Sequence, residues 1–206
     1  GLLAPVLMLS ILSTANAGPA QQCPPAEGVA LQVLGSGGPI ADDERASTGY
    51  VVWVDGRSRV LIDAGGGTFL RFGEARASFV DLDFVGLSHF HTDHSADFPA
   101  LLKSGNFSGR EEPLPVAGPG PGGPFPGLGA WLDSMLAAGS GAYGYLSGYL
   151  DGSGGLPALR PVEVGPGDGV AAVLLGHSHA RHIGQAVTDV DHVGERYRPA
   201  LLGHVL

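Results

Sequence analysis

The chain has 206 residues, and its 35 glycines and 16 prolines form a share typical of low-complexity or disordered sequences. However, 44% of the residues are hydrophobic and only 15% are charged, which excludes ordinary disorder and indicates a globular domain with many tight turns. The formal net charge is −9 and no run of Lys or Arg occurs, so non-specific nucleic-acid binding is not expected.

The N-terminus has the pattern of a secretory signal peptide without its basic first part. Residues 2–12 form an apolar run, and Ala15 and Ala17 stand in the small-x-small arrangement that signal peptidase accepts. We therefore expect a signal peptide remnant over residues 1–17, a mature domain over residues 18–206, and a periplasmic or secreted location. A buried N-terminal helix is the alternative. The run is too short to span a membrane, so no membrane partner is expected.

The first elements of the mature chain are predicted to be strands. Residues 29–34 have a strand pattern, and residues 50–54 and 59–63 flank a turn, which predicts a β-hairpin. Residues 68–72 are expected to start a short helix. Residues 79–87 mix apolar residues with Asp81 and Asp83 and close on the apolar residues 84–87, which predicts a buried strand.

Later elements follow a short polar loop. Asp97 is predicted to cap a helix that Gly105 ends. Residues 114–117 predict another strand, and residues 118–127 are almost all Gly and Pro, which predicts a loop. Residues 128–150 begin with helical spacing, which repeated Gly and Tyr then interrupt.

Three histidines and one aspartate lie within six residues, directly after the predicted buried strand. The segment reads His89-Phe90-His91-Thr92-Asp93-His94. Imidazole and carboxylate groups are ligands that suit Zn²⁺, Mn²⁺ or iron, and a loop that leaves a buried strand can hold them rigidly. A solvated polar loop with incidental histidines is the alternative, but the spacing favours a metal site.

This segment resembles the H-x-H-x-D-H signature of the metallo-β-lactamase superfamily. Other segments, in the expected order, resemble the ribonuclease Z and arylsulfatase branch of that superfamily. These are residues 34–39 (LGSGGP), 61–65 (LIDAG), 87–102 and 114–120 (LPVAGPG).

The resemblance implies an α/β fold, the four-layer αββα sandwich, with metal ions at one edge between its two sheets. It also implies that His89 and His91 bind a first metal ion, and that Asp93 and His94 bind a second. Asp63 would orient the ligands from beneath by hydrogen bonding, and Asp97 could do the same as an alternative to capping the helix. Asp93 would also be catalytic, positioning the attacking water. Two zinc ions are expected in the full-length protein, with Mn²⁺ or iron as alternatives.

Three further ligands that the resemblance implies are harder to place. They are a His, a bridging Asp and a last His. For the first of these, His192 is preferred, with His177 and His179 as alternatives. No segment matches the bridging Asp or the last His. We therefore expect only the N-terminal part of the sandwich, in a fragment incomplete at its C-terminus, with little activity of its own. A tail that is out of frame beyond about residue 173 is the alternative.

The resemblance implies a metal-dependent hydrolase that uses a metal-activated water on an ester-type substrate, namely a phosphodiester, an aryl sulfate or a lactone. Because export and the negative charge disfavour RNA, we expect a small-molecule ester and no nucleic acid as the partner. Aromatic residues after the metal loop form either a wall over the site or part of a core; these are Trp131, Tyr143, Tyr145 and Tyr149. The alternative function is a truncated or degenerate metal-binding relative without catalysis. The oligomeric state stays open.

Overall fold

The computed structural model describes residues 26–165, which form one mixed sheet and the helices that connect its strands. The strands are β1 (Val29–Gly35), β2 (Gly49–Val54), β3 (Arg57–Ile62), β4 (Phe84–Gly86), β5 (Leu114–Pro119) and β6 (Leu159–Val164). The α-helices are α1 (Thr68–Glu74), α2 (Thr92–Ser95), α3 (Phe98–Gly105), α4 (Leu128–Leu136) and α5 (Gly148–Asp151). Short 3₁₀ helices cover Ala41–Asp43, Phe79–Asp81, Gly144–Leu146 and Ser153–Gly155.

The six strands lie side by side in chain order. β1, β2 and β3 are antiparallel, and β3 to β6 are parallel. The predicted hairpin is confirmed: its loop is Asp55-Gly56, both with positive φ (48° and 75°), which a two-residue type I′ turn requires. From β3 onward, each strand is added at the same edge of the sheet. Connections between neighbouring parallel strands are normally right-handed, so these connections place their helices on one face of the sheet.

That face of the sheet carries the main core. Val51, Leu61 and Val85 from the sheet pack with apolar side chains of α1, α3 and α4, and all of these residues are buried. The helix residues in this cluster include Phe72, Phe98, Leu101, Leu102, Leu128, Leu132 and Leu136.

The opposite face of the sheet is also apolar. Val60, Phe84 and Ala117 form a second, smaller buried cluster there. Towards β1 the apolar side chains on this face become exposed, and Leu31 is 66% exposed. A sheet with one apolar face under helices and a second apolar face is what one half of a four-layer sandwich requires. The predicted α/β fold, with part of the sandwich, is confirmed.

The predicted elements agree with the structure over most of residues 26–165. β4 is shorter than the strand predicted over residues 79–87, because the first part of that segment, Phe79–Asp81, forms a 3₁₀ helix. β6 was not predicted, and it contains Pro161, a residue that is uncommon in strands. β6 is the last strand of the described sheet, and proline is tolerated at such an edge.

Several predictions concern residues outside the described range. The signal peptide remnant over residues 1–17 and the candidate ligands His177, His179 and His192 lie there. None of the helices between residues 26 and 165 is long and apolar enough to cross a membrane.

Candidate active site

The histidine segment lies where two parallel strands end. β3 and β4 pair in parallel, with Ile62 opposite Gly86, so the residues that follow each strand meet at the same edge of the sheet. Asp63 follows β3, and Ser88 to His94 connect β4 with α2. The carboxyl ends of strands are the usual place for ligand sites in open α/β sheets.

Asp63 is the centre of the hydrogen-bond network at this edge. Its side chain is buried, with 3% of the residue exposed, and its φ of 58° is unusual for a residue other than glycine. The carboxylate accepts hydrogen bonds from the Ser88 backbone N–H (2.7 Å), the Ser88 hydroxyl (2.9 Å) and Nδ1 of His94 (2.8 Å). Because an ionised carboxylate only accepts hydrogen bonds, Nδ1 of His94 must carry a proton.

This proton fixes which nitrogen of His94 is free. With Nδ1 protonated, the lone pair of the neutral imidazole is on Nε2. Nε2 lies 3.4 Å from Oδ2 of Asp93. Two ligands that each lie about 2.0–2.1 Å from one tetrahedral zinc ion are separated by about 3.4 Å. His94 and Asp93 are therefore spaced as two ligands of one ion.

Ser88 orients a second imidazole. Its hydroxyl donates to Asp63 and lies 3.1 Å from Nδ1 of His89, from which it can accept a hydrogen bond. That bond leaves Nε2 of His89 free as well. The predictions from sequence missed Ser88, although its position directly before His89 was a usable signal.

The imidazoles form one cluster. The His89 ring centroid lies 4.0 Å from that of His94 and 4.7 Å from that of His91. Burial lowers the pKa of His89, and the neighbouring His94 and His91 lower it further. These effects favour the neutral imidazole, which is the form that binds metal ions.

The backbone of this segment is held by the chain after β3 and before β2. Thr48 and Ala64 donate their N–H groups to the carbonyls of Asp93 (3.0 Å) and His94 (2.7 Å). Gly65 passes so close that an added Cβ would lie 2.0 Å from the carbonyl oxygen of Asp93. Only glycine permits this approach, which explains the Ala64-Gly65 pair after β3.

The imidazole and carboxylate groups of this segment are suitable metal ligands, but they do not form a complete metal site among the described residues. Imidazole nitrogens and a carboxylate are suitable ligands for zinc, manganese or iron, and the His94 and Asp93 donors have the right spacing. Among residues 26–165, however, no group of three or more His, Cys, Asp or Glu side chains is arranged to hold a metal ion. A complete site therefore needs further ligands or a rearrangement of His89 and His91.

Asp97 has a different role from the predicted one. It is the N-cap residue of α3, but its side chain makes no hydrogen bond to that helix. Instead, Oδ2 accepts a hydrogen bond from the backbone N–H of Phe69, 2.9 Å away in the first turn of α1. The prediction that Asp97 caps α3 is wrong, because the N-terminus of α1 lies within reach of its carboxylate.

The aromatic residues after the segment divide between core and surface. Tyr149 is fully buried and donates to the carbonyl of Leu102 (2.7 Å), so it belongs to the core. The Trp131 ring stacks on Phe90, with centroids 4.7 Å apart and planes at 11°. A residue that the sequence predictions missed, Phe125, contacts His91, with ring centroids 5.2 Å apart.

Comparison with known proteins identifies related sequences. A family model described as the metallo-beta-lactamase superfamily matches residues 42–193. Ribonuclease Z of Clostridium tetani is 35% identical over 89 residues, which are 43% of this chain and 28% of the relative. Ribonuclease Z of Mycobacterium marinum is 32% identical over 140 residues, which are 66% of this chain and 46% of the relative. The chain thus spans less than half the length of these curated relatives.

Solved structures give partial superpositions. The metallo-beta-lactamase fold protein YhfI from Bacillus subtilis is 19% identical with a TM-score of 0.46, and the match covers 68% of this chain and 46% of that one. The short form of human tRNase Z is 19% identical with a TM-score of 0.47, and the match covers 66% and 46% of the two chains. Because both TM-scores are below 0.5, the family assignment rests on the sequence match.

The relatives correct one prediction from the sequence. We expected a small-molecule ester and no nucleic acid as partner, and this is wrong, because the matching relatives are ribonucleases, which act on RNA. The net charge of −9 describes the surface as a whole. It does not report on a metal centre, where a bound cation can reverse the local field and attract a phosphate.

Proposed function

Because the chain belongs to the metallo-β-lactamase superfamily, we propose that it forms part of a metal-dependent hydrolase that cleaves phosphodiester bonds in RNA. The observation that carries the proposal is the hydrogen bond from Nδ1 of His94 to the buried carboxylate of Asp63. It leaves Nε2 of His94 free, 3.4 Å from a carboxylate oxygen of Asp93. The ribonuclease Z relatives support RNA as the substrate class.

Four side chains would hold metal ions in this proposal: His89, His91, Asp93 and His94. Zinc is the proposed metal, with manganese and iron as alternatives, and His192 is proposed as a further histidine ligand. When bound, the metal would lower the pKa of a water molecule and polarise the phosphoryl oxygen under attack.

The protein residues have separate tasks. Asp63 keeps a proton on Nδ1 of His94 and so keeps the imidazole oriented and its Nε2 available. Ser88 orients His89 in the same way, because its hydroxyl oxygen can accept a hydrogen bond from Nδ1 of His89 and so leave Nε2 available. Asp93 is proposed to be catalytic: one oxygen faces Nε2 of His94, and the carboxylate can accept a hydrogen bond that orients the attacking water.

Cleavage of a 5′-labelled oligoribonucleotide by the 206-residue chain, with zinc and with a chelator, tests the proposal. We expect weak zinc-dependent cleavage, in keeping with the low activity expected of this chain, and Asp93→Asn should reduce its rate by at least about 100-fold, the size expected when a group that positions a proton transfer is lost. Asp42→Asn is the matched control, since Asp42 is exposed and distant in sequence from the site. Metal binding without cleavage would favour a non-catalytic metal-binding relative, and equal cleavage by both variants would refute the role of Asp93.

We also propose that residues 1–17 direct export to the periplasm or beyond, so that the proposed RNA cleavage would take place outside the cytoplasm. The apolar run over residues 2–12 and the Ala15-x-Ala17 arrangement support this. N-terminal sequencing of the secreted protein should then find a start near Gly18. Recovery of the uncut chain from the cytoplasm alone would contradict export.

A further inference from the structure

The loop that follows β5 contains one large side chain among residues that have almost none. Residues 118–127, which are the last two residues of β5 and the loop after it, read GPGPGGPFPG, and Phe125 is the only one of them that is neither Gly nor Pro. Phe125 is 48% exposed, although burial of a phenylalanine side chain would stabilise the protein. Because binding residues are often found on loops that a rigid scaffold positions, an exposed aromatic ring beside a candidate active site is well placed to contact a ligand.

The backbone holds Phe125 in place. Phe125 and Gly122 exchange two backbone hydrogen bonds, from Gly122 N to Phe125 O (3.1 Å) and from Phe125 N to Gly122 O (3.0 Å). This closes a two-residue turn in which Gly123 has a positive φ of 56°. Pro124 and Pro126 restrict the backbone on both sides. The exposed ring is therefore presented by a stiff loop.

The loop is anchored at both ends beside the histidine segment. Gly118 is buried, and an added Cβ would lie 3.2 Å from Leu128 and 3.3 Å from the Phe90 ring, so the backbone is tightly packed there. At the other end, Glu163 of β6 accepts a hydrogen bond from the N–H of Gly129 (3.1 Å) in the first turn of α4. Between these anchors the Phe125 ring meets the His91 ring at 68°, with centroids 5.2 Å apart.

We propose that Phe125 is a stacking platform for a nucleobase of RNA, next to the phosphodiester that is held at the histidine cluster. This inference rests on the proposed function. Unpaired bases stack on exposed aromatic side chains, and such stacking tolerates any base because every base has a π-face. The loop carries no Lys or Arg, so Phe125 would contribute stacking and not phosphate neutralisation. It would thus select nucleic acid over phosphodiesters that lack a base.

Two oligoribonucleotides test the proposal with the full chain, one of ordinary sequence and one with abasic riboses at the central positions. Anisotropy of a terminal fluorophore gives the dissociation constant of each, and cleavage is followed in parallel. Phe125→Ala should weaken binding of the ordinary strand by about 5- to 100-fold, the range expected for loss of one base stack. It should leave binding of the abasic strand unchanged. Phe125→Trp should bind the ordinary strand as tightly as the wild type.

Two controls make the outcome specific. Phe107→Ala removes another exposed phenylalanine, which is 77% exposed and outside this loop, and should have no effect. The dependence of binding on salt should be the same for Phe125→Ala and wild type, since no charge is removed. An equal loss on both strands would show a merely structural role and overturn the proposal, as would no loss on either strand.

The test separates this inference from the proposed function. Base-dependent binding that Phe125→Ala abolishes, without any cleavage, would support the platform and refute the hydrolase. Cleavage by the wild type that Phe125→Ala leaves unchanged would support the hydrolase and refute the platform. Failure of the wild type to prefer the ordinary strand over the abasic one would also overturn the platform.

Discussion

The buried carboxylate of Asp63 lies 2.8 Å from Nδ1 of His94 and thereby determines that Nε2 is the ring nitrogen available to bind a metal ion. Asp63 follows β3 and His94 follows β4, so the parallel pairing of these strands creates the contact. The same carboxylate accepts two hydrogen bonds from Ser88. One buried group thus orients the residues that we propose as metal ligands.

Replacing Asp63 by Asn should weaken metal binding without unfolding the protein. Asparagine has nearly the same shape and tolerates the positive φ of 58° at this position. It lacks the negative charge that holds the His94 imidazole. We expect zinc affinity to fall by about 10- to 100-fold, as for other residues that orient metal ligands. Competition with a chromophoric chelator measures this, and Asp42→Asn should bind zinc like the wild type.

Gly65→Ala should destabilise the fold through the site. The new Cβ would lie 2.0 Å from the carbonyl oxygen of Asp93, so the backbone of the histidine segment would have to move. We expect a loss of about 1–3 kcal/mol in the free energy of unfolding, measured in urea. Gly73→Ala is the matched control, since its Cβ would meet nothing within 4 Å and a helical Ala is favoured over Gly. Equal stability of the two variants would show that the close approach does not matter.

Arg110 connects the segment before β4 to the segment before β5. Its guanidinium donates to the carbonyls of Leu82 (2.6 Å), Glu112 (2.7 Å) and Pro113 (3.0 Å). Arg110→Ala should therefore cost about 2–3 kcal/mol in the free energy of unfolding, since carbonyls bound to a charged donor lose their partner. Arg160→Ala, on the exposed side of β6, should change stability by less than about 0.5 kcal/mol. A neutral Arg110→Ala would mean that water replaces the guanidinium.

The buried hydroxyl of Tyr149 predicts sensitivity to alkaline pH. Burial raises the pKa of Tyr149 to about 12, from an ordinary value of 10.0. Below pH 10 both the folded and the unfolded state keep the proton. Above it the unfolded state loses its proton first, so stability falls as the pH rises from about 10 to about 12.

Tyr149→Phe isolates this effect. At neutral pH the variant should be less stable than the wild type by about 1 kcal/mol, because it lacks the hydrogen bond to Leu102. The difference should shrink above pH 10 and reverse near about pH 11, since only the wild type has the titrating hydroxyl. Urea unfolding at several pH values measures this, with Tyr145→Phe as an exposed control. Parallel curves at all pH values would contradict the raised pKa.

Local patterns in the sequence were enough to predict much of the fold. The Asp55-Gly56 pair between two apolar strands defines its hairpin, because few other residues accept a positive φ at both positions. The dense spacing of His89, His91, Asp93 and His94 after a buried strand likewise predicts a ligand-bearing loop. These features depend on neighbours in the sequence.

What the sequence did not predict depends on contacts between distant segments. The carboxylate of Asp97 reaches the first turn of α1, 28 residues earlier in the chain, and no local pattern indicates this. Pro161 is compatible with a strand only because β6 lies at the edge of the described sheet. From the sequence, Phe125 was predicted only to lie in a Gly- and Pro-rich loop. Its contact with His91 depends on how that loop packs beside the histidine segment.

The position of a bound zinc ion shows whether His94 and Asp93 are ligands of one metal ion. Anomalous X-ray diffraction at the zinc edge, from crystals of the zinc-loaded chain, locates the ion independently of activity. We expect zinc about 2.0–2.1 Å from Nε2 of His94 and from a carboxylate oxygen of Asp93, with Nδ1 of His94 still hydrogen-bonded to Asp63. Zinc bound elsewhere, or bound to His94 through Nδ1 with the Asp63 contact broken, would contradict it.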